Sequence, residues 1–180
     1  VHTFRLGGNY KFNEQSQLGL SYTSSLNPDK QQSVTSSDNH STTFNHAPAE
    51  EQMHNVALNY TSGFGLTGGI DYTYFRNKEE QSFRSIENNG QETTFLSNTA
   101  QYINRWKVYV DQNHTLSNAW VLNYGTSFTY VNNHNSQRYN LAAMSGMNKE
   151  SRVDEYTYNL YTGFEKNFGS QWSLNASASI

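Results

Sequence analysis

Apolar residues recur on even-numbered positions from one end of the chain to the other. Phe4, Leu6, Tyr10 and Phe12 begin the pattern, and Leu18, Leu20 and Tyr22 continue it. Val56, Leu58 and Tyr60 come next, then Leu66, Ile70, Tyr72 and Tyr74. Trp106, Val108 and Val110 keep the parity, as do Trp120, Leu122, Tyr124, Phe128 and Tyr130. Tyr156, Tyr158, Leu160 and Phe164 lead to Trp172, Leu174, Ala176, Ala178 and Ile180. Successive side chains of a strand point to opposite faces, so a period of two predicts β-strands with one apolar and one polar face. Eight such stretches exhaust nearly all the apolar residues, and what their apolar face meets, protein or lipid, decides function.

Only 34% of the 180 residues are hydrophobic even with Tyr counted, and mean hydropathy is −0.83. Charge is not the source of that polarity, because charged residues make up 15% and the net charge is −3. Asn, Ser, Thr and Gln supply it, while 13 Tyr and 10 Phe are too many for a solvated linker. This composition suits long strands joined by polar turns. A near-neutral balance excludes the clustered Lys and Arg of a nucleic-acid footprint. Cysteine is absent, which removes disulfide frameworks and thiolate metal sites. No stretch approaches the ~20 apolar residues of a membrane helix, a fact without bearing on a β-barrel, whose signal per strand is weak and dyadic. Val1 falls directly on a strand pattern, as processing or excision from a longer chain would leave it.

The eight stretches group into four hairpins. Short turns are expected near Asn13–Gln17, Thr61–Gly65, Ser117–Ala119 and Gly169–Gln171, with long polar connections near Leu26–Glu51, Arg76–Thr99 and Asn132–Val153. Short turns at one end and long loops at the other are the layout of an outer-membrane barrel. Phe12 with Leu18, Tyr60 with Leu66, Leu116 with Trp120 and Phe168 with Trp172 flank the short turns, all even. Odd-length loops, or two-residue turns with a bulge, follow from that parity. Ser33–Phe44 and Gln91–Leu96 hold β-formers without an apolar face and are expected to extend strands beyond a membrane. Pro28 and Pro48 are expected to stop ladder pairing in the first long connection.

On the even face the aliphatic residues lie between two aromatic tiers. Tyr10, Phe12, Tyr60, Phe64, Trp120, Phe164, Phe168 and Trp172 sit toward the short turns. Tyr22, Tyr72, Tyr74, Tyr102, Trp106, Phe128, Tyr130, Tyr156 and Tyr158 sit toward the long connections. Two aromatic girdles flanking an aliphatic band mark a membrane barrel, since Tyr and Trp combine an apolar ring with a wet polar tip. A soluble sandwich core is the competing reading, but a buried Tyr hydroxyl needs a partner, so cores favour Val, Ile and Leu. The odd face is lean and polar, as a lumen wall is. Its charges, Arg5, Lys11, Asp71, Arg105, Lys107, Asp111 and Glu165, are expected to face inward, as cross-strand ties and plug contacts or as a substrate-contacting ladder.

No nucleophile elbow or triad motif occurs, so no catalytic residue is assigned and the chain reads as a non-enzyme. His2, His40, His46, His54, His114 and His134 show no ligand spacing, and neither metal nor cofactor is expected.

Arg5–Tyr22 (RLGGNYKFNEQSQLGLSY) and Asn118–Tyr130 (NAWVLNYGTSFTY) resemble strands of large Bacteroidota-type outer-membrane β-barrels. The chain as a whole is similar to the outer-membrane β-barrel family related to TonB-dependent receptors. Dyadic aromatics, Asn-rich turns and long polar loops carry that resemblance. It implies an all-β, antiparallel up-and-down transmembrane barrel or barrel segment, residues 1–180 forming a single unit without a plug domain. It implies outer-membrane lipid as a partner and a role in substrate uptake. A plug domain and an energy-coupling periplasmic protein would belong with the missing part of the chain. Two other readings stay open: an autonomous eight-stranded anchor or adhesin, which requires Phe4–Phe12 to pair with Trp172–Ile180, and a soluble β-sandwich binding module.

Overall fold

The computed structural model describes residues 1–117, 120–168 and 171–180. Eight strands follow one another: β1 (His2–Lys11), β2 (Gln17–Ser37), β3 (Ser41–Thr61) and β4 (Leu66–Glu87), then β5 (Glu92–Thr115), β6 (Trp120–Tyr139), β7 (Lys149–Phe168) and β8 (Trp172–Ser179). They form one antiparallel sheet in which spatial order equals chain order. Every connection is therefore a hairpin, the up-and-down pattern of a barrel wall. Among the described residues β1 pairs only with β2 and β8 only with β7, so the sheet is open and the closure an autonomous eight-stranded barrel requires is not made. Among the described residues no second sheet packs on the first, and no helix is long and apolar enough to cross a membrane.

The register keeps even residues opposite even ones on both sides of the short turns. Phe12 N–H donates to Ser16 O at 2.9 Å, Ser62 N–H to Leu66 O at 2.8 Å and Leu116 N–H to Trp120 O at 2.8 Å. Phe168 likewise opposes Trp172. Two expected pairs are displaced along the strand: Leu18 opposes Tyr10 rather than Phe12, and Tyr60 opposes Gly68 rather than Leu66. Of the turns themselves, Asn118, Ala119, Gly169 and Ser170 lie outside the described residues.

Gly65 closes the β3–β4 turn with φ +88°, in the left-handed region that L side chains avoid. A Cβ there would collide with Asn113 O and lie 3.3 Å from Gln112 Nε2. Gly65→Ala is expected to destabilise the folded protein by about 1–3 kcal/mol. Gly90→Ala, at φ +84° but with nothing within 4 Å, is expected to cost less. Denaturant midpoints in detergent micelles rank the two.

The long connections are mostly strand, as expected for much of Ser33–Phe44 and Gln91–Leu96, and the strand extends well beyond those two stretches. β2 and β3 run on to a turn at Asp38–His40, and β4 and β5 to a turn at Asn88–Gln91. The third connection holds a 3₁₀ segment, Ala142–Met147, between β6 and β7. These extensions are wet on both faces, so the ladder persists without an apolar alternation to announce it. Nor do the prolines end the ladder. Pro28 lies in a bulge between Asn27 and Lys30, and Pro48 still opposes Gln31 while its β4 side goes unpaired.

The hairpin tips are tied locally. Asp38 Oδ1 accepts from His40 N–H and Ser41 N–H, both at 2.7 Å, which holds its carboxyl below the usual aspartate range. Asn88 N–H donates to His40 O at 2.9 Å, joining the two outer hairpins. Near the β4–β5 tip, Arg84 Nε and Nη2 grip Glu92 at 2.7 and 3.0 Å, and these bonds lower the Glu92 carboxyl. Because the folded value is the lower one, the tie is fully present above the ordinary glutamate value of ~4.3 and is lost as pH falls through the lowered value. NMR titration of Glu92 is expected to show a midpoint below that of a model glutamate, abolished in Arg84→Ala.

Candidate functional site

Each face of this wall is built by register. On the even face, Leu58, Ile70, Val108, Phe128 and Tyr158 lie in one row across β3 to β7, and Val56, Tyr72, Trp106, Tyr130 and Tyr156 in the next. No described residue covers them. Ala49 is the one buried apolar residue among the described ones, whereas Trp106 is 45%, Tyr158 71% and Trp172 75% exposed. A soluble sandwich would bury this face against a second sheet, so that reading fails.

Aromatic contacts gather at both ends of the band. Toward the short turns Tyr10 meets Phe12 edge-on at 5.0 Å and Phe12 meets Tyr60 at 6.3 Å. Trp120 meets Phe164 at 5.5 Å, and Lys166 Nζ lies 4.7 Å from the Trp120 ring and 4.9 Å from that of Phe168. A lysine there lays its stem on apolar rings and keeps its ammonium at the edge of the band. Toward the long hairpins His54 lies between Tyr22 and Tyr74, at 6.1 and 6.2 Å. Tyr72 meets Trp106 at 4.4 Å, Phe128 meets Tyr158 at 4.9 Å and Tyr130 meets Tyr156 at 5.1 Å. Three of the hydroxyls find partners: Tyr22 shares a hydrogen bond with His54 Nδ1 at 2.9 Å, Tyr72 donates to Asn104 at 2.9 Å, and Tyr130 to Asp154 at 2.8 Å.

On the odd face, side chains two strands apart meet. Tyr109 of β5 crosses Gly69 of β4 and donates to Asn59 Oδ1 of β3 at 2.8 Å. Tyr161 of β7 crosses Gly125 of β6 and donates to Asp111 Oδ1 of β5 at 2.7 Å. Glycine is required in each middle position, because a Cβ on Gly69 or Gly125 would lie 2.8 or 2.6 Å from the crossing ring. These two bridges clasp three strands each. They escaped the sequence reading because register is invisible there, although a tyrosine on the polar face was the available signal.

The seven odd-face charges do not converge into one ladder. Asp71 is the best-held: Arg105 Nη1 stands 3.7 Å away, Asn55 Nδ2 donates at 3.0 Å and Thr73 Oγ1 at 3.3 Å. Asp111 holds Tyr161, and Lys107 Nζ lies 5.6 Å from the Tyr109 ring. Arg5 and Lys11 stand on exposed β1, while Glu165 lies on β7 between Val121 and Asn175. The arrangement ties strands together and offers no paired acid and base for catalysis.

No protein-family model matches the chain, and no curated protein matches it in sequence. Solved structures share its fold. The ferric yersiniabactin uptake receptor FyuA from Yersinia pestis matches at TM-score 0.65 and 10% identity, over 97% of this chain and 27% of its own. The siderophore receptor PiuA from Acinetobacter baumannii matches at 0.61 and 12%, over 97% and 31%. The ferric citrate transporter FecA in its unliganded form matches at 0.58 and 12%, over 98% and 26%. The chain thus spans between about a quarter and a third of the length of these proteins. Its fold is that of the bacterial outer-membrane β-barrel wall, as the sequence resemblance implied; these matches do not bear on the Bacteroidota-type texture.

Proposed function

We propose that this chain is a wall segment of an energy-coupled uptake receptor in the outer membrane. The apolar band between the aromatic tiers faces lipid, and the odd face lines the lumen, with Arg5, Lys11, Asp71, Arg105, Lys107, Asp111 and Glu165 among its charges. The long hairpins stand outside the cell and help capture substrate. One observation carries this reading: an apolar face that no described residue covers, in a sheet with the fold of receptor barrels. The reading also implies a plug domain resting against the polar wall and a periplasmic protein that drives its release.

The chain lacks cysteine, so single cysteines report topology cleanly. Asn89→Cys, at the β4–β5 tip, is expected to react with a membrane-impermeant maleimide on intact cells. Glu14→Cys, in the β1–β2 turn, is expected to react only after the outer membrane is opened. Labelling in the reverse order, or of both sites on intact cells, contradicts the proposal.

A further inference from the structure

Asn89–Gly90, at the β4–β5 tip, is the one place in the sequence where asparagine precedes glycine. That order matters chemically. An asparagine amide carbon lies within reach of the next residue's backbone nitrogen, and a side chain on that next residue hinders closure of the five-membered succinimide ring. Gly90 removes the hindrance. Nothing lies within 4 Å of an added Cβ there, and its φ of +84° is one that side chains disfavour. Residues 87–91 are all exposed, so water reaches the tip.

The hydrogen bonds of the tip serve this chemistry. Gln91 N–H donates to Asn89 Oδ1 at 2.7 Å, which polarises the amide carbon and steadies an oxyanion forming on it. Asn89 Nδ2 donates to Glu87 Oε2 at 3.0 Å, so a carboxylate stands beside the leaving nitrogen. Gly90 N–H donates to Glu87 O at 2.9 Å, and that bond must open before the nitrogen attacks. At an exposed hairpin tip such opening costs little. Asn88 is held differently. Its N–H donates to His40 O at 2.9 Å and its Nδ2 to Asn39 O at 2.6 Å, both across to the β2–β3 tip, and the residue after it carries a side chain.

We propose that Asn89 is a self-modifying site that converts to aspartate and isoaspartate with Glu87 as proton carrier. The Gly90 nitrogen forms a bond to Asn89 Cγ and the Cγ–Nδ2 bond breaks. The proton lost by the Gly90 nitrogen passes through Glu87 to Nδ2, which departs as ammonia. Water then adds to the succinimide and opens it at either carbonyl. Both products place a second carboxylate beside Glu87 and delete the Nδ2 bond to it. Isoaspartate also routes the backbone through Cβ, which lengthens the tip by a methylene. Asn88, the preceding residue, ties the two outer hairpins together, so their joint loosens as the protein ages.

The test ages the full-length, detergent-solubilised protein in mildly alkaline heavy-oxygen water and reads the tryptic peptide 85–105 by fragmentation mass spectrometry. Asn88, Asn98 and Asn104 lie in the same peptide and serve as internal standards. Residue 89 is expected to take up oxygen from the water at least about tenfold faster than any of the three. Gly90→Ala should slow conversion roughly tenfold, and Glu87→Gln at least about threefold. Heat-modifiability on gels shows that each variant is folded. Hydrogen exchange at the Asn88 amide should be faster in aged protein than in fresh protein. Conversion spread evenly over the four asparagines, or an undiminished rate in folded Glu87→Gln, overturns the proposal. So does an Asn88 amide that exchanges equally before and after conversion.

Discussion

Val108→Arg is expected to destabilise the membrane-inserted protein by about 2–4 kcal/mol, the cost of an arginine at mid-bilayer on a barrel's lipid face. Val108 lies in the middle of the band, between Ile70 and Phe128, and is 41% exposed with no described residue above it. In water such an exposed position would accept arginine at little cost, so a large penalty arises only from hydrocarbon. Thr129→Arg supplies the contrast. Thr129 opposes Lys107 and Thr157 on the odd face, where an added cation is expected to cost less than about 1 kcal/mol. Equilibrium unfolding in guanidinium with lipid vesicles measures both. Equal effects of the two substitutions would remove the distinction between the faces.

Gly125→Leu is the second large effect. A Cβ at Gly125 would sit 2.6 Å from Tyr161 Cε1 and 2.8 Å from the tyrosine hydroxyl, and would collide with Asp111 Oδ1. The tyrosine must swing away, which breaks its bond to Asp111 and opens the clasp across β5, β6 and β7. Overpacking and the lost charge-assisted hydrogen bond together are expected to cost about 2–4 kcal/mol. In a Tyr161→Ala background the same substitution has no ring to displace, so its cost should fall by at least about 1 kcal/mol. Gly8→Ala, on the even face with nothing within 4 Å of its added Cβ, should stay within about 0.5 kcal/mol. Gly125→Leu costing the same with and without Tyr161 would show that the ring does not depend on the glycine.

The part of each strand between the aromatic tiers was legible in the sequence because it separates two environments. Leu58, Ile70 and Val108 alternate with Asn59, Asp71 and Tyr109, and that alternation survives intact as two faces of the sheet. The outer hairpins were not legible to the same degree. From Arg76 to Thr99 both faces meet water, so hydrogen bonding holds strands that no apolar period marks. Prolines misled for a related reason: the bulge at Asn27–Lys30 absorbs the ring of Pro28, and the ladder resumes beyond it. The polar wall was legible in composition but not in connection. Sequence alone places Tyr161, Gly125 and Asp111 on one face, and only register sets them in a row. Similarly, Phe83 and Phe95 stand on odd positions outside the even-position pattern, and they become neighbours only through pairing of β4 with β5.

The central claim is that the even face touches hydrocarbon. All three tryptophans, Trp106, Trp120 and Trp172, lie on that face, so the native chain carries its own probe. With the protein reconstituted in vesicles containing brominated phosphatidylcholine, tryptophan fluorescence is expected to be quenched strongly, and aqueous acrylamide should quench it weakly. Strong acrylamide quenching with no effect of brominated lipid would contradict the account.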